Sequence, residues 1–180
     1  MGIRVISRGF SYPRMRKSVF GILRENALGS VATVNRTGRA HINTAFFAYS
    51  DKLEFYFLSD PRSIHCQNLS SNPSMAMTVF NSSQKWGESG RGLQLFGRCS
   101  EAKGPYATDA ERVYGRRFAA YGKWMKGASE ADRHLASVLR AYRFYRFLPH
   151  KLKVLDEAEY GGAVFLVSPV KRLVNRQLAC

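Results

Sequence analysis

The stretch SDPRSIHCQNLSSNP, Ser59 to Pro73, brings two hydroxyls, a guanidinium and an imidazole (Ser59, Ser63, Arg62 and His65) within seven residues. That set suits an anion. A guanidinium offers a planar fork of donors, and the hydroxyls and imidazole add single ones. A helix starting beside them would add unpaired N–H groups and a positive partial charge. The same residues also describe a capped helix with solvated polar neighbours, and the segment alone leaves both readings open.

Other candidate chemistry is thinner. The four histidines, His41, His65, His134 and His150, form no HxH or HxxxH pair, so no dedicated metal site is expected. Cys66, Cys99 and Cys180 contain no CxxC, and Cys66 and Cys99 read as small buried apolar side chains. Asp156, Glu157 and Glu159 read as a solvated turn rather than a carboxylate pair. Trp86, in a glycine-bearing loop, suits either stacking on a flat ligand or an ordinary exposed position. There is no GxSxG elbow, GxGxxG fingerprint or Walker loop. The catalytic residues stay unknown, with His41 and Tyr56 as candidate proton donors.

The elements that must hold these side chains follow from hydrophobic period and turn chemistry. Val19, Ile22 and Leu23 have helical spacing, with Gly29 expected to close that stretch. Strands are expected over Ser30–Asn35 and Arg39–Tyr49, joined by the turn residues Asn35 to Gly38, and again where Leu53, Phe55 and Phe57 alternate. Ser63 to Ser71 reads as a short helix with Ser63 as N-cap, ended by Asn72-Pro73. Met75–Phe80 and Leu93–Cys99 read as further strands. Beyond Gly104-Pro105 the pattern turns helical. Thr108 with Glu111 predicts a capping box, and a second helix is expected from about Glu130. Leu152 and Val154 alternate with Lys151 and Lys153 in a strand, and GGAVFLVSPVKRL supplies the last one.

This order predicts a mainly β (α+β) fold: an antiparallel barrel with flanking helices and a helical insertion. One domain is expected over 1–180, with a core of about 19–103, an insertion of about 106–142 and return strands of about 143–175. At 180 residues the chain can bury a core without disulfides. It contains no apolar run long enough to span a membrane and no signal-peptide pattern near MGIRVISRGF, so a cytoplasmic protein is expected. The net charge of +15 attracts anions, whether phosphorylated small molecules, nucleic acid or a membrane surface. Nucleic acid ranks low, because no strand face interleaves exposed aromatic and basic residues for stacking.

The sequence of parts from Val19 to Lys103 resembles the pyridoxamine 5'-phosphate oxidase-like family of FMN-binding split barrels, and within it the small bacterial members. The resemblance is carried by Asn43-Thr44-Ala45-Phe46, by Gln94-Leu95-Phe96-Gly97, by Tyr114-Gly115-Arg116-Arg117-Phe118, and by the strand–turn–Ser-x-basic–helix–NP–strand order around Ser63. It implies an FMN site at a homodimer interface. The flavin ring edge would meet the second strand at Ile42, Asn43, Thr44, Ala45 and Phe46. The phosphate would meet Leu58, Ser59, Arg62, Ser63 and His65, and Gln94 would approach the ring. The resemblance thus implies a flavin-dependent oxidoreductase acting on an unidentified small molecule. Related split barrels hold the deazaflavin F420 or haem, which are the alternative cofactors.

The chain also departs from the oxidases themselves. They usually carry lysine where His65 stands, and arginine early in the second strand, where this chain has His41 and Arg39. They end in a strand with an arginine-and-histidine substrate motif, and KRLVNRQLAC contains no histidine. The departures count against pyridoxamine phosphate oxidation and leave flavin binding as the expectation.

Overall fold

The computed structural model describes residues 2–171. The elements in order are β1 (Arg4–Ser7), α1 (Pro13–Glu25), β2 (Leu28–Val34), β3 (Ala40–Tyr49), β4 (Phe55–Ser59), α2 (Ile64–Ser71), β5 (Ser74–Phe80), β6 (Arg91–Glu101), α3 (Pro105–Arg117), α4 (Ala119–Lys126), α5 (Glu130–Ala141), β7 (Arg143–Asp156), α6 (Glu157–Tyr160) and β8 (Val164–Pro169). The sheet runs β1-β8-β7-β4-β3-β2-β5-β6, and β6 returns to β7. The six strands from β7 round to β6 therefore close an antiparallel barrel, and β8 with its parallel partner β1 extends it beyond β7. This is the split-barrel α+β architecture expected.

Alternation along β2 turns Val31 and Thr33 inward, where both are buried. The β2–β3 turn is held as its residue types predict. Asn35 Oδ1 accepts the amides of Thr37 and Arg39 at 3.0 and 2.8 Å, and Gly38 takes φ +83°. α1 starts at Pro13 and buries Met15, Val19, Ile22 and Leu23 in the core. It stops earlier than expected. Asn26 Nδ2 donates to the Ile22 carbonyl at 2.8 Å and ends the helix, and Gly29 lies inside β2, where a Cβ would collide with the Met77 side chain.

The insertion holds three helices rather than two. α3 begins at Pro105 behind Gly104, which has φ +54°, so Thr108 sits inside the helix and the Thr108–Glu111 capping box does not cap it. A capping box does form at the start of α5. Ser129 Oγ accepts the Asp132 amide at 3.1 Å, and Asp132 accepts the Ser129 amide at 3.3 Å. α3 packs on β3, β4 and β7. Its last residue, Arg117, donates to the carbonyls of Leu23 and Asn26 at 2.7 and 2.6 Å and lies over the rings of Phe47 and Tyr49, locking the insertion to the end of α1.

Candidate functional site

The barrel splits where the anion-type residues converge. β3 and β4 pair only at Phe47–Phe57, Ala48–Tyr56 and Tyr49–Phe55. Earlier in β3, His41 to Phe46 pair with β2 alone, while Leu58 and Ser59 pair with β7. The two strands part, and α2 packs against β2 and β3 beside the opening. The Phe47 amide donates to the Ala27 carbonyl at 3.1 Å. In an antiparallel ladder the backbone groups alternate in direction, so those of Ala45, Asn43 and His41 also point to β2. Those of Phe46, Thr44 and Ile42 point the other way, into the split.

Of the expected ring-contacting residues, Ile42, Thr44 and Phe46 turn their side chains outward to solvent, and Asn43 and Ala45 turn inward. Phe46 is not bare, because it meets Phe118 edge-on at 5.8 Å.

At the mouth of the split, Ser59 Oγ lies 2.8 Å from His65 Nε2 and 3.4 Å from Ser63 Oγ. Ser63 Oγ is 3.2 Å from the same ring nitrogen. Ser63 occupies the N-cap position of α2, but its hydroxyl makes no capping bond and donates instead to the Asp60 carbonyl at 2.7 Å. The expected side-chain cap is therefore absent, because the tight Asp60–Ser63 turn claims the hydroxyl first. The first helical bond of α2 runs from the Gln67 amide to the Ser63 carbonyl at 3.0 Å, so the amides of Ile64 to Cys66 lie ahead of the intrahelical ladder.

His65 is buried, packs on Phe57, and lies parallel to His41 with ring centres 6.3 Å apart. Burial, and then the neighbouring His41, push its pKa below the usual imidazole value. Arg62 is turned away from this cluster. It forms a two-pronged ion pair with Asp60, 2.7 Å at the shortest, and its side chain is 86% exposed. The guanidinium holds the Asp60 carboxyl down at about 2. Leu58 is half-buried beside the pair.

Sequence alone did not reveal the inner wall of this site. Asn68 Nδ2 donates to Thr33 Oγ1 at 3.1 Å, a buried bond that ties α2 to β2, and Tyr145 stacks on Phe57 with centres 5.4 Å apart. No local pattern links residues 35 or 88 positions apart; only barrel closure brings them together.

The remaining candidates lie elsewhere. Gln94 is exposed on the outer face of β6. The pairings Thr44–Ser30, Ser30–Thr78 and Thr78–Gln94 place it in one outward row with Thr44. Three strand spacings separate them, roughly 14 Å. Tyr56 sits under α3 with Ala102 and Ala110, its hydroxyl donating to Glu54 at 2.9 Å. Burial first, and then Glu54, push its pKa up to about 12. It points to the opposite face of β4 from Phe57, the residue that packs on His65. Asp156, Glu157 and Glu159 are not a solvated turn. Asp156 is buried 3.2 Å from Arg91 Nε, Glu157 accepts the amides of Gly90 and Ala163, and Glu159 pairs with Arg14 at 2.6 Å. Trp86 is fully exposed. Cys66 and Cys99 are buried thiols, and burial raises the Cys99 pKa strongly. Among the described residues no cluster of three His, Cys, Asp or Glu could hold a metal, and no helix is long and apolar enough to cross a membrane. The C-terminal KRLVNRQLAC lies outside the described residues after Lys171.

The sequence matches the pyridoxamine 5'-phosphate oxidase family over residues 15–152. No curated protein matches it. Among solved structures, a haem-binding protein of Mycobacterium smegmatis is similar with TM-score 0.63 at 12% identity, covering 83% of this chain and 55% of its own, so this chain spans about half of that protein. The haem storage protein HutZ of Vibrio cholerae gives 0.57 at 18%, with 74% and 88% covered. An FAD-binding protein of Mesorhizobium loti gives 0.55 at 17%, with 76% and 89% covered. At these identities the likeness is one of fold.

Proposed function

We propose that this chain, which belongs to the pyridoxamine 5'-phosphate oxidase family, binds FMN and serves as a flavin-dependent oxidoreductase for a small molecule, its site completed by a second copy of the chain. One observation carries the proposal: the split turns the unpaired backbone edge of Ile42, Thr44 and Phe46 towards the same gap that holds Ser59, Ser63, His65 and the first amides of α2. A planar heterocycle with alternating donors and acceptors suits a free strand edge, and a phosphate suits a helix start lined with hydroxyls. The donor set therefore fits a flavin phosphate. Bound flavin would supply the redox chemistry, and the protein its position and electrostatics.

Each residue then has a task. Ser59 gives up its contacts with Ser63 and His65, and Ser63 its bond to the Asp60 carbonyl, so that both donate to phosphate oxygens. His65 donates through Nε2 once its Nδ1–Nε2 proton distribution, or protonation, puts hydrogen there. Arg62 swings from Asp60 to the anion. Gln94 lies too far along the row to share a ring with Thr44 of its own chain, so it serves the site of the other copy.

Haem is the second cofactor to weigh, because one structurally similar protein is described as haem-binding and another as a haem storage protein, and His41 and His65 stand together at the split. The absorption spectrum of the purified protein separates the two: flavin bands support FMN, and a Soret band moves the assignment to haem. Titrations with FMN and riboflavin test the phosphate cradle itself. Arg62→Ala is expected to weaken FMN roughly tenfold while leaving riboflavin unchanged. Equal effects on both ligands, or none on either, would remove the cradle from the proposal.

A further inference from the structure

Two clefts meet at the β3–β4 turn, away from the split. One, of about 660 Å³, is lined by Phe10, Arg16, Arg146, Pro169, Val170 and Lys171 together with the turn residues Asp51, Lys52 and Glu54. The other, of about 490 Å³, shares those three turn residues and continues under α3 past Arg116. Both volumes suit a small organic ligand.

The charges in the larger cleft do not cancel. Arg146 and Glu54 pair with each other at 2.5 Å, and Glu54 also accepts the Tyr56 hydroxyl. That leaves Arg16, Lys52 and Lys171 facing Asp51, and among the described residues none of these four makes an ion pair. Arg16 is already placed, with its guanidinium 4.9 Å from the Phe10 ring centre and 5.2 Å from that of Phe20. An anion complements this cleft.

The turn presenting Lys52 is internally hydrogen-bonded and strained. Ser50 Oγ accepts the amides of Lys52 and Glu54 at 3.3 Å each, and the Leu53 amide donates to the Ser50 carbonyl at 2.9 Å. Leu53 is fully buried yet has φ +55°, a conformation that bulky side chains rarely adopt. Backbone strain held in place by burial is a recurrent mark of ligand-binding loops. Here it fixes Lys52 at the junction of the two clefts.

We propose that this cleft is a second anion site, separate from the split, that takes a small organic phosphate. The phosphate would lie among Arg16, Lys52 and Lys171, and the apolar body against Phe10, Pro169 and Val170. The proposal is independent of the flavin assignment and stands if the split holds another cofactor.

Calorimetry on the full chain with inorganic pyrophosphate tests it. Binding is expected, weakened roughly tenfold by Lys52→Ala and again by Lys171→Ala, each removing a charge-assisted contact. Lys123→Ala, on the exposed side of α4, should leave it unchanged. No heat with the unaltered protein, equal losses in all three variants, or an affinity that neither Lys52→Ala nor Lys171→Ala alters would each overturn the proposal. Those outcomes point respectively to no site, to general surface charge, and to an anion held elsewhere.

Discussion

His65 couples the candidate site to pH through burial. Its environment disfavours the imidazolium, chiefly by desolvation and then by the parallel His41 ring. A group whose folded pKa lies below its unfolded value binds more protons unfolded, so the folded state loses stability as pH falls through the unfolded value of about 6.5. The expected outcome is a urea midpoint that declines between pH 7 and 5 more steeply for the unaltered protein than for His65→Gln. Identical slopes would mean that His65 titrates as freely folded as unfolded. The same physics bears on the phosphate: an anion beside Nε2 favours the charged ring, so FMN should bind more tightly towards the acid side of neutrality. Arg62 shows the opposite habit. Exposed and held by Asp60, it contributes little to the ligand-free fold and becomes useful only when an anion outcompetes that carboxylate.

At the scale of elements, the site depends on how two strands and two helices are pinned. β7 pairs with β4, β6 and β8 along its 14 residues, and it passes β6 with a register shift between Phe96 and Gly97. A Cβ at Gly97 would run into the Leu148 carbonyl, and into the Pro149 Cα 2.6 Å away. Gly97→Ala is therefore expected to cost about 2–3 kcal/mol in denaturant unfolding, since backbone rather than a movable side chain must give way. Arg117→Ala tests the lock between α3 and α1 on the same scale. Losing charged hydrogen bonds to two carbonyls should cost about 2 kcal/mol, and Arg117→Lys should restore only part of it, because an ammonium lacks the fork. The strands were legible in sequence because their period-2 alternation and the Asn35–Gly38 turn are local signals. The Ser59–His65 convergence was legible for the same reason: those residues lie in one turn. Gly97 appeared only as part of a motif, since its cause is a β7 backbone some fifty residues away. Parallel β1 was missed, being four mostly exposed residues held by β8 at the other end of the chain. The Thr108 capping box failed because Gly104-Pro105 starts the helix first.

For the whole molecule, the outer face of β2, β3 and β5 exposes Ile42 (70%), Phe46 (54%), Phe80 (47%) and Leu28 (45%) on neighbouring strands. Their grouping is unusual on a chain whose net charge of +15 would keep monomers apart and soluble. A two-fold interface on this face would cover the apolar side chains and bring Gln94 of one copy towards β3 of the other. It would also place two basic molecules together, which buried apolar area must outweigh, so an interface above about 2,000 Å² is expected. Light scattering should report twice the chain mass of 20.3 kDa at micromolar concentration. Ile42→Glu places a charge at the most exposed of these positions, and it should yield a folded monomer whose FMN affinity falls together with dimer content. If this variant is monomeric and binds FMN as tightly as the unaltered protein, the site lies within one chain and Gln94 has no part in it. If the unaltered protein is itself a monomer, the apolar face has another use and the two-chain site is withdrawn.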